Sequence, residues 1–185
     1  MINDIKNDAE QRMKHSIEAL HRDLNSLRTG RASPALVERL TVDYYGTQTP
    51  LNQIAGVSAP ESRLLVIQPW DKGALPSIER AIQMSELGLT PNNDGQVIRL
   101  SIPQLTQERR KELVKVLRSK VEEGKVSVRN VRRDAMDSVK DLLKEKAIGE
   151  DEERRAEADI QDLTNRFIEE ADVLGQAKEE EILEV

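Results

Sequence analysis

The apolar positions of this chain recur at two periods, and the change of period divides it into segments. Ile2, Ile5, Ala9, Met13, Ile17, Leu20, Leu24 and Leu27 are spaced by three and four, which puts their side chains on one face of a helix. Asn3 or Asp4 is placed to cap that helix at its start. A second helical run extends from Thr106 to about Ala147. At about 100° per residue it gathers Leu113, Leu117, Val121, Gly124, Val128, Val131, Ala135, Val139 and Leu142 on one side. A third run, from about 151 to 181, repeats the spacing with Ala156, Ile160, Leu163, Phe167, Ala171 and Leu174. Gly149 separates the second run from the third and suits the position just past a helix end. Each helix has one narrow apolar stripe and is unstable alone, so together they predict a three-helix bundle.

Between the first and second helices the period shortens. Residues 41–45, 54–58, 63–67 and 96–102 read as short strands, bounded by Gly46, Pro50, Pro60, Pro69 and Gly95. Pro76 to Leu87 reads as one amphipathic helix that buries Ile78, Ala81, Ile82 and Met84. These elements make a small α/β domain inserted into the bundle, because helices on both sides of it are needed to complete the bundle's core. The expected division is residues 1–29 with 106–185 for the bundle and 31–104 for the insertion.

The insertion enters and leaves by two linkers, about residues 29–34 and 102–106. Gly30 lifts the steric limits on φ, and Pro34 and Pro103 discourage helix at the residues before them. With Arg31, Gln104 and Thr106 these positions form a candidate double hinge, although ordinary boundary loops share the same spacing. Two short crossings side by side permit rotation of one domain about the other while limiting their separation.

Composition agrees with long two-faced helices more than with a thick core: there are one Trp, one Phe and two Tyr, and 34% of residues are charged. The absence of cysteine excludes disulfides and thiolate metal sites and fits a reducing compartment. No apolar leader or membrane-length apolar run is visible, so a cytoplasmic protein without a membrane partner is expected. The net charge of −6 hides a segregation. Residues 107–146 carry 13 Lys and Arg against 8 Asp and Glu, whereas residues 147–185 carry 4 against 14. The acidic third helix therefore matches the basic second one.

Local field, not global charge, decides what a surface attracts. On the second helix Lys111, Lys115, Arg118, Lys125, Arg129, Arg132 and Arg133 form a stripe about 110° from the apolar one. Arg118, Lys125, Arg129 and Arg132 extend over about 20 Å, the length of several successive phosphates. Arginine pairs phosphate through a rigid fork. Scarce aromatics disfavour stacking on single strands, leaving the shape and backbone of folded RNA as the better fit. A helix laced with i,i+4 pairs is the plain alternative. Read from the residues alone, a coiled-coil adaptor matched to an acidic protein stands equal with RNA binding.

Several other chemistries lack their residues. No Gly-rich phosphate loop, nucleophile elbow or nucleophilic cysteine is present. His15 and His21 sit about 120° apart on the first helix and read as surface residues. Asn92-Asn93-Asp94-Gly95 lacks the closing Glu of a calcium loop, with Ser101 in its place, and reads as a turn. Glu150-Asp151-Glu152-Glu153 complements a helix dipole and requires no metal. No catalytic residue, metal site or cofactor is expected.

Four runs in register add a resemblance: Arg28-Thr29-Gly30-Arg31-Ala32-Ser33-Pro34; Tyr44-Tyr45-Gly46-Thr47 with Pro50-Leu51; Leu105-Thr106 with Glu108-Arg109-Arg110-Lys111; and Val128-Arg129-Asn130-Val131-Arg132-Arg133-Asp134-Ala135. The chain resembles the bacterial ribosome recycling factor family along essentially its whole length. That resemblance implies an α+β fold of two domains in an L shape, a long three-helix bundle with an inserted small α/β (β/α/β sandwich-like) domain. It also implies a non-enzymatic, monomeric translation factor. Its partners would be the 70S ribosome, bound in the intersubunit space after termination, and elongation factor G, whose GTP hydrolysis drives subunit separation. By the same resemblance Arg129 and Arg132 contact large-subunit rRNA, with Arg110 and Arg133 nearby, and Arg28 and Arg31 belong to a hinge-side motif. Arg118 and Lys125 extend the set as members of the stripe. If the hinge swings, Gly30→Pro is expected to spare binding and impair subunit splitting.

Overall fold

The computed structural model describes residues 1–27 and 29–184. It contains two compact units. One is formed by Met1–Leu27 with Lys111–Glu184, the other by the described residues from 29 to 110.

The first unit is built on three helices: α1 (Ile2–Asn25), α3 (Gln107–Lys144), most of which lies here, and α4 (Glu150–Leu183). Ala9, Met13, Ile17, Leu20 and Leu24 of α1 are buried. So are Leu113, Leu117, Val121, Gly124, Val128, Val131, Ala135 and Val139 of α3, while Leu142 is only half-buried. On α4 the buried row is Ala156, Ile160, Thr164, Phe167, Ala171, Gly175 and Ile182. Leu163 and Leu174, expected in the core, are half-buried at its margin. The core row passes instead through Thr164, whose hydroxyl donates to the Ile160 carbonyl at 2.8 Å. That bond satisfies the polar atom inside its own helix, so a threonine can sit where a leucine was anticipated.

Two helix ends differ from expectation. Neither Asn3 nor Asp4 caps α1; the helix begins at Ile2 and Met1 holds the cap position without a side-chain bond. Gly149 does not end α3 but is the extended residue before α4, at φ −93°. The left-handed position after α3 is Lys146, at φ 58°. There the Ala147 N–H donates to the Leu142 carbonyl at 2.9 Å and the Lys146 N–H to Leu143 at 3.0 Å, the paired bonds of a Schellman ending.

The second unit joins β1 (Thr41–Tyr44) and β2 (Thr47–Pro50) in a two-stranded hairpin. The strands β3 (Ala55–Glu61), β4 (Leu64–Pro69), β5 (Pro91–Asn93) and β6 (Ile98–Ser101) form an antiparallel sheet in the order β3-β4-β6-β5. The helix α2 (Leu75–Met84) packs against β1 and β5. Alternation puts Leu65 and Ile67 of β4 and Ile98 and Leu100 of β6 inside, against Ile78 and Ile82 of α2 and Val42 of β1. Met84, expected in the core, is 80% exposed because it ends the helix. β2 and β5 were invisible to an apolar-alternation reading: Thr-Gln-Thr-Pro and Pro-Asn-Asn show no alternation of large apolar residues, although Pro91 is buried, and both strands are edges.

Tyr45 (φ 49°) and Gly46 (φ 84°) turn the first hairpin, with Tyr44 paired to Thr47. Two successive positive φ values make it a type I′ turn. The Tyr45 hydroxyl donates to Asp71 at 2.7 Å. This bond, followed by one from the Gly73 N–H, holds the Asp71 carboxyl below its ordinary value. Asp94 closes the turn before β6, accepting from the Gln96 and Val97 N–H groups and from Arg99. The Val97 bond leads the causes that lower its pKa to about 2. The turn anticipated at residues 92–95 forms later, at 94–97, because Asn92 and Asn93 pair with Arg99 and Ile98 as strand β5.

Candidate nucleic-acid interface

The 38-residue helix α3 presents the cationic row. Thr106 opens it: its Oγ1 accepts from the Arg109 N–H at 3.1 Å and its carbonyl from the Arg110 N–H at 3.0 Å. The run from 128 to 134 divides its side chains between core and surface. Val128 and Val131 are buried, Arg129 and Arg132 are half-buried, and Arg133 is exposed. Asp134 belongs to the bundle's framework, accepting from Arg12 of α1 at 2.8 Å.

Individual cations differ in what they face. Arg118 pairs with Glu179 of α4 at 3.0 Å. Lys125 pairs with Asp172 of α4, and its side chain is only 18% exposed. Both therefore help to join α3 to α4. Arg129 pairs at 3.0 Å with Glu122, two turns earlier on its own helix. Arg132 donates to Gln161 of α4 at 3.2 Å, a neutral partner. Arg133 makes no ion pair among the described residues. Partly exposed pairs such as these contribute about 0–1 kcal/mol and are screened by salt. A phosphate must compete with such a pair, whereas Arg132 and Arg133 hold no carboxylate among the described residues.

Helix rise puts Arg118 and Arg132 about 21 Å apart along the axis. The row rests on a helix held by two close approaches. A Cβ on Gly124 would lie 3.0 Å from Leu20 of α1, and one on Gly175 would lie 2.8 Å from Val121 of α3. The first explains why a glycine interrupts the core row of α3. The second was not anticipated, because Gly175 lies one residue beyond the expected apolar position Leu174.

The other described candidates, Arg31 and Arg110, lie in the second unit. Arg31 is exposed and Arg110 half-buried; Arg28 lies outside the described residues. The linkers are more ordered than loops need to be. The Ala32 N–H donates to Ser62 at 2.7 Å and the Ile102 N–H to Arg63 at 2.8 Å, so both segments are tied to the β3–β4 turn. Pro34 starts a short 3-10 turn, Pro34–Leu36, while Pro103 and Gln104 are exposed. Gly30 has φ 81°, and a Cβ there would lie 3.1 Å from Leu105 Cγ. Proline holds φ near about −65°, so Gly30→Pro would break this local structure and cannot serve as the hinge test it was expected to be.

No catalytic constellation accompanies the row. Among the described residues no cluster of His, Cys, Asp and Glu is arranged to hold a metal, and no helix is long and apolar enough to cross a membrane. His15 and His21 are exposed. Periodicity on α3 alone could not reveal the α4 partners Glu179, Asp172 and Gln161, although pairing the two helices antiparallel could have located them.

Comparison with known proteins gives a consistent result. The chain matches the family described as RRF, ribosome recycling factor, over residues 20–183. It is 59% identical over 185 residues to the ribosome-recycling factor of Thermomicrobium roseum, covering 100% of both chains. The protein of the same name from Carboxydothermus hydrogenoformans is 58% identical with the same coverage. Among solved structures, a solution structure of the ribosome recycling factor superposes with a TM-score of 0.81 at 46% identity, covering 100% of this chain and 98% of that one. A second, with a TM-score of 0.71 and 50% identity over 99% of each chain, is the Thermus thermophilus ribosome recycling factor. It was described together with Escherichia coli elongation factor G bound to the E. coli post-termination complex.

Proposed function

The chain belongs to the ribosome recycling factor family, and from that premise we propose how its own residues carry out the family's work. It is a translation factor and not an enzyme. It binds the post-termination ribosome between the subunits and, with elongation factor G, promotes their dissociation; GTP hydrolysis by that partner supplies the energy. Its workplace is the ribosome of the bacterial cytoplasm. The observation that carries this reading is the end-to-end match to ribosome-recycling factors, which spans both compact units.

Arg132 and Arg129 anchor the helical unit to rRNA phosphates, with Arg133 beside them and Arg110, Arg31 and Arg28 as further contacts. Arg132 supports this role best, since its partner is an amide and its charge is not neutralised internally. Arg118 and Lys125 remain contributors at the far end of the row, weakened by their ion pairs. The linkers at 29–34 and 102–106 act as the hinge between an anchored bundle and a second unit that the translocase displaces. Helices of 38 and 34 residues carry the resulting force without bending at a loop.

Co-sedimentation with 70S ribosomes across a salt series tests the anchor. The unmodified chain is expected to show a steep salt dependence. Arg132→Ala should bind at least tenfold more weakly, the order of about 1.4 kcal/mol, while its melting temperature stays within about a degree. Retained binding, or an equal loss of thermal stability, would remove Arg132 from the interface. Light-scattering detection of subunit dissociation with elongation factor G and GTP tests the function itself.

A further inference from the structure

The register between α3 and α4 sorts the cations of the row. Arg118 faces Glu179; seven residues later on α3, Lys125 faces Asp172, seven residues earlier on α4. Antiparallel helices that advance together by seven keep opposing positions in step. The next step brings Arg132 to the level of position 165, where the acidic sequence is interrupted by Asn165. Gln161 donates to Asn165 at 2.9 Å and accepts from Arg132 at 3.2 Å. A helix rich in carboxylates thus offers amides where it passes Arg132.

We propose that Gln161 and Asn165 are specificity-determining positions for the RNA-facing row, leaving the charge of Arg132 for a phosphate while Asp172 and Glu179 withhold Lys125 and Arg118 from polyanions in general. This rests on the reading that the row meets rRNA. Non-specific affinity for nucleic acid grows with the number of phosphates neutralised: each adds about 0.9 to the logarithmic salt slope, roughly 0.7 of a decade in affinity at about 0.15 M salt relative to 1 M. A cation already paired within the protein releases no counterion on binding. Two withheld cations therefore lower affinity for arbitrary RNA roughly tenfold or more without touching the cations that anchor at the ribosome. The arrangement discriminates against the other RNA of the cell by internal pairing, with no repulsive group at the interface.

The test uses full-length variants, a short RNA duplex unrelated in sequence to rRNA, and 70S ribosomes. Asp172→Asn/Glu179→Gln should raise duplex affinity roughly tenfold or more and steepen the logarithmic salt slope by about two. Glu150→Gln/Glu152→Gln changes net charge equally at the start of α4, away from the row, and should raise it less than about threefold. Asn165→Asp should weaken ribosome binding severalfold while the melting temperature holds or rises, because it supplies Arg132 with a carboxylate. An equal rise from the control pair would reduce the effect to net charge and overturn the proposal. So would an unchanged duplex affinity in the first variant, or unaltered ribosome binding by Asn165→Asp. If the unmodified chain fails to bind ribosomes, the functional reading falls, and the duplex comparison still judges the withholding of Lys125 and Arg118.

Discussion

Gly124 and Gly175 do the same work in the bundle with different margins, and the difference can be measured. Alanine in a helix interior gains about 1 kcal/mol over glycine. At Gly124 the added Cβ meets Leu20 Cδ2 at 3.0 Å, the end of a side chain with two rotatable bonds. Gly124→Ala should therefore leave stability within about 0.5 kcal/mol of the parent. At Gly175 the new atom would lie 2.8 Å from Val121 Cγ2. Valine in a helix is held to one χ1 well, so backbone must move, at a cost of about 1–3 kcal/mol that exceeds the propensity gain. Gly175→Ala should lower the urea midpoint while Gly124→Ala does not; equal midpoints would mean that α3 and α4 separate freely. The place of Gly124 on the core face was legible in the sequence, but whether it allowed a close approach or was a tolerated variation was not, and Gly175 was hidden behind Leu174. Arg132 illustrates the same limit: its type and spacing were readable, whereas its neutral partner Gln161 belongs to another helix.

Helices carried their identity in periodicity, yet their ends were decided by backbone geometry that periodicity does not encode. α3 begins with a bond from the Arg109 N–H to Thr106 Oγ1, which a Ser/Thr cap rule anticipates. It ends at Lys146 in the left-handed region, φ 58°, where a glycine would ordinarily be expected and where Gly149 was a tempting substitute. An L-residue pays about 1–2 kcal/mol for that conformation. Lys146→Gly should accordingly raise stability by about 1 kcal/mol, and Thr106→Ala should lower it by a similar amount. Thermal unfolding followed by circular dichroism distinguishes them by opposite shifts in Tm. A fall in Lys146→Gly would show that the lysine side chain holds the ending in some other way. The strands sort by the same logic. β4 and β6 face a core on one side and alternate, so they were legible; β2 and β5 are short edges placed by strand pairing, with no alternating apolar row to reveal them.

A chain with a net charge of −6 binds RNA only if its cations are concentrated and its anions are placed elsewhere, and the first unit does both with two helices of opposite sign. α4 neutralises the far end of the cationic row and leaves Arg132 and Arg133 with their charge. If the row anchors the chain as proposed, the attachment is rigid, and the proposed hinge at the linkers is where one unit would move against the other. Those linkers are bonded to the β3–β4 turn through Ala32 and Ile102, which makes them part of the second unit up to its edge. The freedom proposed for the hinge must then be concentrated in few residues at the boundary between units. Because the chain contains no cysteine, labels can be introduced cleanly at the exposed positions Glu123 and Gln96, one in each unit. Single-molecule energy transfer between Glu123→Cys and Gln96→Cys should give a broad distance distribution in the free protein. It should narrow on the ribosome and shift again when elongation factor G is added with GTP. A single narrow distance, unchanged through all three states, would mean the two units move as one body. The force would then reach the subunits by displacement of the whole molecule, with no role for the hinge.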